Sequence, residues 1–223
     1  MTPAKNDTFK SSYIGLRTDI VSLIPATARG LTVLDVGCAT GTTGNYLLDQ
    51  GVAGRVYGIE YDEAMAAQAR QRYQEVLVGD VEAMDLAALP RSIDLIIFGD
   101  VLEHLRAPER LLQQLVPLLS PTGRVIVSVP NMQHVSAIYQ LAVKGYWPAN
   151  DRGIFDRTHL RMFTRKNLTE LVEQAGLSVI ELKRVYRFRD RLGSSFPLYG
   201  RLLKWLFPDY YTFQYVVLAG RHL

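Results

Sequence analysis

Short β-branched runs alternate with amphipathic stretches through the first 130 residues, and no other feature of the chain limits its fold so strongly. The runs are "LTVLDV", "RVYGIE", "EVLVGD", "IDLIIFGD" and "GRVIVSVP"; stretches such as "TGNYLLDQG" and "RLLQQLVPLLS", with apolar residues at helical spacing, lie between them. Strands that each need a crossover helix predict a mainly parallel sheet wrapped by helices on both faces. With 223 residues and 48% hydrophobic content, the chain can bury a full core as one domain spanning 1–223. Tyr13, Leu16, Ile20, Leu23 and Ile24 recur at helical spacing before Pro25, which predicts a helical segment within residues 1–30. The alternation breaks after "SVPN". Residues 132–163 read as a short helix followed by a loop rich in aromatic and charged side chains, an insertion that caps the sheet edge. A second, aromatic insertion covers 187–212.

No run of about 20 apolar residues occurs, and "MTPAKNDTFKSSY" lacks the apolar core of a secretory signal, so a cytoplasmic protein is expected. The single Cys38 fits a reducing compartment and excludes a cysteine-based zinc site; no metal is expected. A net charge of +3 leans only weakly towards an anionic partner.

The stretch "VLDVGCATGTTGNYL" is a strand, a turn of small residues and a helix start. Its Gly37, Ala39 and Gly41 let backbone amides approach a ligand. A dinucleotide fingerprint would read G-x-G-x-x-G. Here the order is D-x-G-x-A-x-G, and an acid beside the ligand, Asp35, suits a cationic group better than a pyrophosphate. Glu60 closes the second strand about 20 residues later, where a carboxylate accepts ribose hydroxyls. Asp80 closes the third. Each acid alone would read as a turn former; in register they describe a nucleoside pocket along the carboxyl edge of the sheet.

The series "VLDVGCATG", "VYGIEYD", "VGDVE", "DLIIFGDVLEHL" and "LLSPTGRVIVSVPN" resembles the class I S-adenosylmethionine-dependent methyltransferases over most of the chain. The resemblance implies a Rossmann-like, seven-stranded sheet with an antiparallel last strand, for which "FQYVVLAGR" is the candidate. It implies S-adenosyl-L-methionine as cofactor, with the glycine loop at its methionine part, Glu60 at the ribose and Asp80 at the adenine. The cofactor set is therefore Asp35, Gly37, Cys38, Ala39, Gly41, Glu60, Tyr61, Asp80, Val81 and Gly99. Ala39 stands where the family often has glycine, and its methyl group should be tolerated.

Candidate bases are His104, His134 and His159. "LEH" is also ordinary helix-start sequence, which favours a structural role for His104, and His134 can simply begin the insertion's helix. Within the insertion, "GYWPANDRGIFDRTHLRMFT" places Arg152, Arg157, Arg161 and Trp147 as acceptor-binding candidates, together with Asn131 at the end of "SVPN". "GIFDRTHLRMFT" resembles a segment of methyltransferases encoded with glycan-assembly enzymes. That resemblance implies a sugar hydroxyl as acceptor, free or on a phosphorylated or nucleotide-linked carrier. Arginine forks suit phosphate or carboxylate groups, and aromatic faces suit sugar rings. The chain also resembles the methionine-biosynthesis protein W family, which implies a binding module that partners an acyltransferase. A nucleic-acid methyltransferase ranks last, because the fourth strand ends "FGDV" where N/D-P-P-Y/F would be expected. Finally, "LYGRLLKWLFPDYY" has a broad apolar helical face. Its expected place is the protein's own core or a homodimer contact, with a lipid-linked acceptor or membrane surface as the alternative.

Overall fold

The structure, a computed structural model, describes residues 15–188 and 197–221. Tyr13, used above to infer a helix, and residues 189–196 of the aromatic insertion lie outside them.

Seven strands form one sheet in the order β3-β2-β1-β4-β5-β7-β6. They are β1 (Leu31–Val36), β2 (Ala53–Glu60), β3 (Glu75–Val78), β4 (Ile93–Gly99), β5 (Leu119–Pro130), β6 (Leu177–Tyr186) and β7 (Thr212–Arg221). The pairs β3/β2, β2/β1, β1/β4 and β4/β5 are parallel, while β7 runs antiparallel to both of its neighbours, β5 and β6. The expected fold class holds, including the reversed last strand. The switch point lies between β1 and β4, where the chain leaves towards β2 on one side and returns on the other. In open α/β sheets this is where a crevice opens at the carboxyl ends of the strands.

Side chains of the central strands alternate between two buried clusters, one on each face of the sheet. Leu34, Val36, Ile96 and Phe98 meet Leu111, Leu112 and Leu115 of α4 (Pro108–Leu115) and Leu168, Leu171 and Val172 of α6 (Arg165–Gln174). Val33, Leu95 and Ile97 meet Leu47 of α2 (Thr42–Asp49) and Ala66 and Ala69 of α3 (Glu63–Ala69). Each fully buried large aliphatic side chain contributes about 1.5–3 kcal/mol. The apolar runs are nearly continuous because both faces are covered.

Within the described residues the N-terminal helix covers less than the periodicity suggests. Among the described residues only α1 (Thr18–Val21) is helical before β1, although Ile20 and Leu23 are buried as the pattern required. Arg17, immediately before α1, turns its side chain inward to charged partners, and this fixes the segment by ion pairs rather than by helical length. The insertion begins as expected with α5 (Val135–Ile138), followed by one π-type turn, Tyr139–Val143. It is pinned by the bridges Asn131↔Phe163 and Asn150↔Asp156 and by a third small cluster of Ala137, Ile154, Phe155 and Phe213.

The apolar stretch near the C-terminus forms α7 (Leu198–Leu206), followed by α8 (Pro208–Tyr211). Its expected burial in the protein's own core does not occur. Leu198 is 83% exposed and Trp205 76%, and Tyr199, Leu202 and Phe207 are also exposed. The buried residue of the helix is Gly200, which backs onto the ring of Phe188 with no room for a Cβ. The helix therefore rests on its small residue and turns its large apolar residues outward.

Candidate active site

One cavity of about 1380 Å³ runs along the carboxyl edge of β1, β2 and β4 and is roofed by the insertion. Its first wall is the turn after β1. Gly37 (φ +69) and Gly41 (φ +78) take left-handed conformations, and a Cβ on Gly37 would sit 2.4 Å from Val101 Cγ2. Ala39 also has positive φ, at 47°. Its methyl is accommodated, as expected, but in a conformation that costs an L-residue about 1–2 kcal/mol. The turn holds because Ala39 N–H donates to Glu60 Oε2 at 2.8 Å while Asp62 N–H donates to Oε1 at 2.9 Å. One carboxylate thus ties the small-residue turn to the end of β2, with lone pairs left for a ligand.

Asp35 lies beneath that turn. Its Oδ2 accepts from the Tyr73 hydroxyl at 2.7 Å. Tyr73 fits there because Gly41, Gly44 and Gly58 leave its ring room: a Cβ on Gly44 would lie 2.2 Å from the hydroxyl oxygen. Burial pushes the Asp35 carboxyl up to about 6, with the Tyr73 hydroxyl opposing the rise and Glu60 adding to it. Cys38 lines the cavity, while its thiol packs in the buried cluster beside Gly58 and burial raises its pKa. Asp80 and Val81 line the far end, where Asp80 Oδ1 accepts from Glu82 N–H at 2.9 Å. Tyr61 stands exposed at the rim.

Gly99 and Asp100 form the middle of the cavity. Asp100 has φ 60° and accepts from Arg17 Nη1 at 2.8 Å, from Gln214 Nε2, and from Ser128 Oγ at 3.4 Å. Arg17 also reaches Ser128 Oγ at 2.7 Å and both oxygens of Asp19. Arg17, Tyr73 and Gln214 were not singled out in the sequence. Their partners lie 83, 38 and 114 residues away, and no local pattern carries such pairings.

The opposite end of the cavity is built by the turn Leu102–His104 and the insertion. The carbonyl of Glu103 accepts from Leu160 N–H at 2.8 Å and Arg161 N–H at 2.9 Å, which sets His159 beside His104, ring centroids 4.8 Å apart and edge to face. Glu103 is 1% exposed, and burial, reinforced by Asp100, drives its carboxyl well above the usual carboxylate range. Burial, then the neighbouring His104, lowers His159 to about 4, so its imidazole is neutral at pH 7. Arg152 lines this end, as do Asp156 and Arg187.

Four of the expected acceptor residues lie elsewhere. Arg157 pairs with Asp151 at 2.6 Å, and Arg161 donates to the Arg106 carbonyl. Trp147 stacks edge to face on Phe155 in the small cluster. Asn131, fully buried, donates to the carbonyls of Asp209 and Thr212 and accepts from Gln133 N–H. His134 caps α5 and places Nε2 against the Arg187 carbonyl at 2.9 Å, a structural role.

A doubly wound sheet with a small-residue turn after β1, an acid ending β2 and a deep crevice at the switch point defines the class I nucleoside-binding methyltransferase architecture. The chain belongs to the methyltransferase domain family, whose pattern it matches over residues 13–182. It is 34% identical over 153 residues to a probable S-adenosylmethionine-dependent methyltransferase of Mycolicibacterium smegmatis, covering 67% of this chain and 53% of that protein. It is 24% identical over 165 residues to the ubiquinone biosynthesis O-methyltransferase of Coxiella burnetii, covering 72% of this chain and 69% of that protein. A crystal structure of a SAM-dependent methyltransferase from Archaeoglobus fulgidus superposes with a TM-score of 0.64 at 16% identity, over 91% of this chain and 90% of that one. The chain spans about half the length of the mycobacterial relatives it matches.

Proposed function

We propose that the protein transfers the methyl group of S-adenosylmethionine to a hydroxyl of a sugar or glycan precursor. The observation that carries this reading is the continuity of one cavity, from the Asp35, Glu60 and Asp80 carboxylates to the insertion's Arg152 and His159. When bound, S-adenosylmethionine supplies an electrophilic methyl on a sulfonium. Glu60 holds the ribose, Asp80 faces the adenine end, and Asp35 offsets the cofactor's positive charge. Positioning the acceptor in line with the methyl provides much of the acceleration. His159, neutral at pH 7, can receive the acceptor proton.

Arg152 and Arg187 at the cavity mouth suit a phosphate or carboxylate on the acceptor. An O-methyltransferase among the relatives supports oxygen as the accepting atom. The outward apolar face of α7 supports an acceptor carried on a lipid or held at a lipid surface. The alternative, a partner-dependent binding module, predicts cofactor binding without turnover. Incubating purified protein and isotopically methyl-labelled cofactor with a glycan-precursor extract, followed by mass spectrometry, separates the two: labelled sugar supports transfer, and label confined to the cofactor overturns it.

Cofactor binding should depend on pH through Asp35. Below pH 6 its carboxyl is protonated and offers a cation nothing; above pH 6 it is ionised. The ionised fraction rises from about one in eleven at pH 5 to about ten in eleven at pH 7, so affinity for S-adenosylmethionine should rise about tenfold across that interval. Calorimetry at the two pH values checks this, and Asp35→Asn should flatten the dependence while weakening binding at pH 7.

A further inference from the structure

We propose that Glu103, His104 and His159 form a binding site for one divalent transition-metal ion at the acceptor end of the cavity. The sequence suggested no metal, because its single cysteine leaves no cysteine-based zinc site and His159 lies far along the chain from the adjacent Glu103 and His104.

Each of the three offers a ligand atom, and these atoms lie within 4.8 Å of one another. Two of the residues carry buried polar atoms without a hydrogen-bond partner, Glu103 Oε2 and His159 Nδ1. A carboxyl oxygen that is buried and unpartnered is costly, and a cation that displaces the proton of this acid satisfies it. His104 is held in the tautomer that ligation requires. Its Nδ1 lies 3.2 Å from the Thr158 carbonyl, which can only accept, and 2.9 Å from Thr158 Oγ1. The Thr158 hydroxyl proton is already committed to Asp156 Oδ1 at 2.6 Å. Nδ1 must therefore carry the proton, which leaves the lone pair on Nε2. A carboxylate behind a hydroxyl behind a histidine is an outer-shell arrangement that orients an imidazole for a metal.

Two imidazoles and one carboxylate favour borderline divalent ions over calcium or magnesium. An ion about 2.1 Å from each ligand needs them about 3 to 4 Å apart, so the side chains draw in by about 1 Å on binding. Three protein ligands leave coordination positions open to the cavity, and an acceptor hydroxyl can take one of them. There the ion stabilises the deprotonated oxygen. With His159 engaged as a ligand it no longer serves as the base; water at the cavity mouth takes the proton instead, the oxygen bonds to the methyl carbon, and the carbon–sulfur electron pair stays on sulfur. This last role rests on the methyltransferase reading; the binding site itself does not.

The test titrates Co²⁺ alone into untagged, metal-stripped full-length protein, followed by visible absorption and calorimetry, with S-adenosylhomocysteine binding measured on the same samples. One Co²⁺ per chain, displaced by Zn²⁺, is expected. Thr158→Val should weaken metal affinity about 10- to 100-fold, and Glu103→Gln or His159→Asn by more than that. Each variant should retain S-adenosylhomocysteine binding, which also reports on folding. Absence of saturable Co²⁺ binding to the wild type overturns the proposal, as does wild-type metal affinity in His159→Asn. Metal binding without S-adenosylhomocysteine binding leaves the site standing and overturns the methyltransferase reading instead.

Discussion

Glu60→Ala is expected to weaken S-adenosylmethionine binding by roughly 1.5–3 kcal/mol, about 10- to 150-fold in Kd. The residue combines two functions that its position at the end of β2 makes inseparable. Towards the ligand, it is the carboxylate we propose to accept the ribose hydroxyls. Towards the protein, it receives Ala39 N–H at 2.8 Å and Asp62 N–H at 2.9 Å, and so holds the turn after β1 in a conformation that its one non-glycine positive-φ residue resists. Removing it leaves these amides without their carboxylate acceptor, and the orphaned donor of Ala39 alone costs about 1–3 kcal/mol of stability. Glu60→Gln separates the effects. The amide side chain keeps one acceptor oxygen for the turn, sets its NH2 against the second amide and loses the charge, so it should restore part of the melting temperature and little of the affinity. Calorimetry and thermal melting of the two variants are the measurements; unchanged affinity in Glu60→Ala would remove Glu60 from the cofactor site.

Arg17→Ala should lower stability by about 2–3 kcal/mol, which for a chain of this size is a drop of about 5–10 °C in melting temperature. Arg17 is the clasp between the N-terminal segment and the sheet: one guanidinium meets Asp19, Asp100 and Ser128. Truncation leaves two acids beside each other without their cation, which is why the loss exceeds that of a surface pair. Asp100 is partly open to the cavity, so water softens the penalty below that of a fully buried pair. The effect should extend to the site, because Asp100 lines the same cavity as Glu60 and His159 and its left-handed backbone is held by these contacts. Differential scanning calorimetry decides the point. Melting within about a degree of wild type would show that the clasp contributes little.

The reversed β7 was implied by the family resemblance, while the alternation of strands and helices, the small-residue turn and the acids at the ends of β2 and β3 were legible in the sequence itself. Each is encoded locally: β-branched runs specify strands, amphipathic runs specify crossover helices, and a D-x-G-x-A-x-G turn needs its small residues in consecutive positions. Strand-to-turn spacing then fixes which acids reach the carboxyl edge. The insertion was legible as an insertion for the same reason, since its pattern breaks the alternation.

What each insertion side chain faces was not legible. Arg152 and Arg157 are five residues apart in one polar loop, yet the first lines the cavity and the second pairs with Asp151. The apolar periodicity of α7 correctly marked a helix but not its outward face, because periodicity states that a face is apolar and not what covers it. By itself, then, the sequence determined the sheet, the turn and the cofactor edge, all products of short-range pattern. Only the tertiary structure brought Arg17 to Asp100, Tyr73 to Asp35 and His159 to Glu103 and His104, because such contacts depend on how distant segments close over the sheet, and no local preference records where that closure ends.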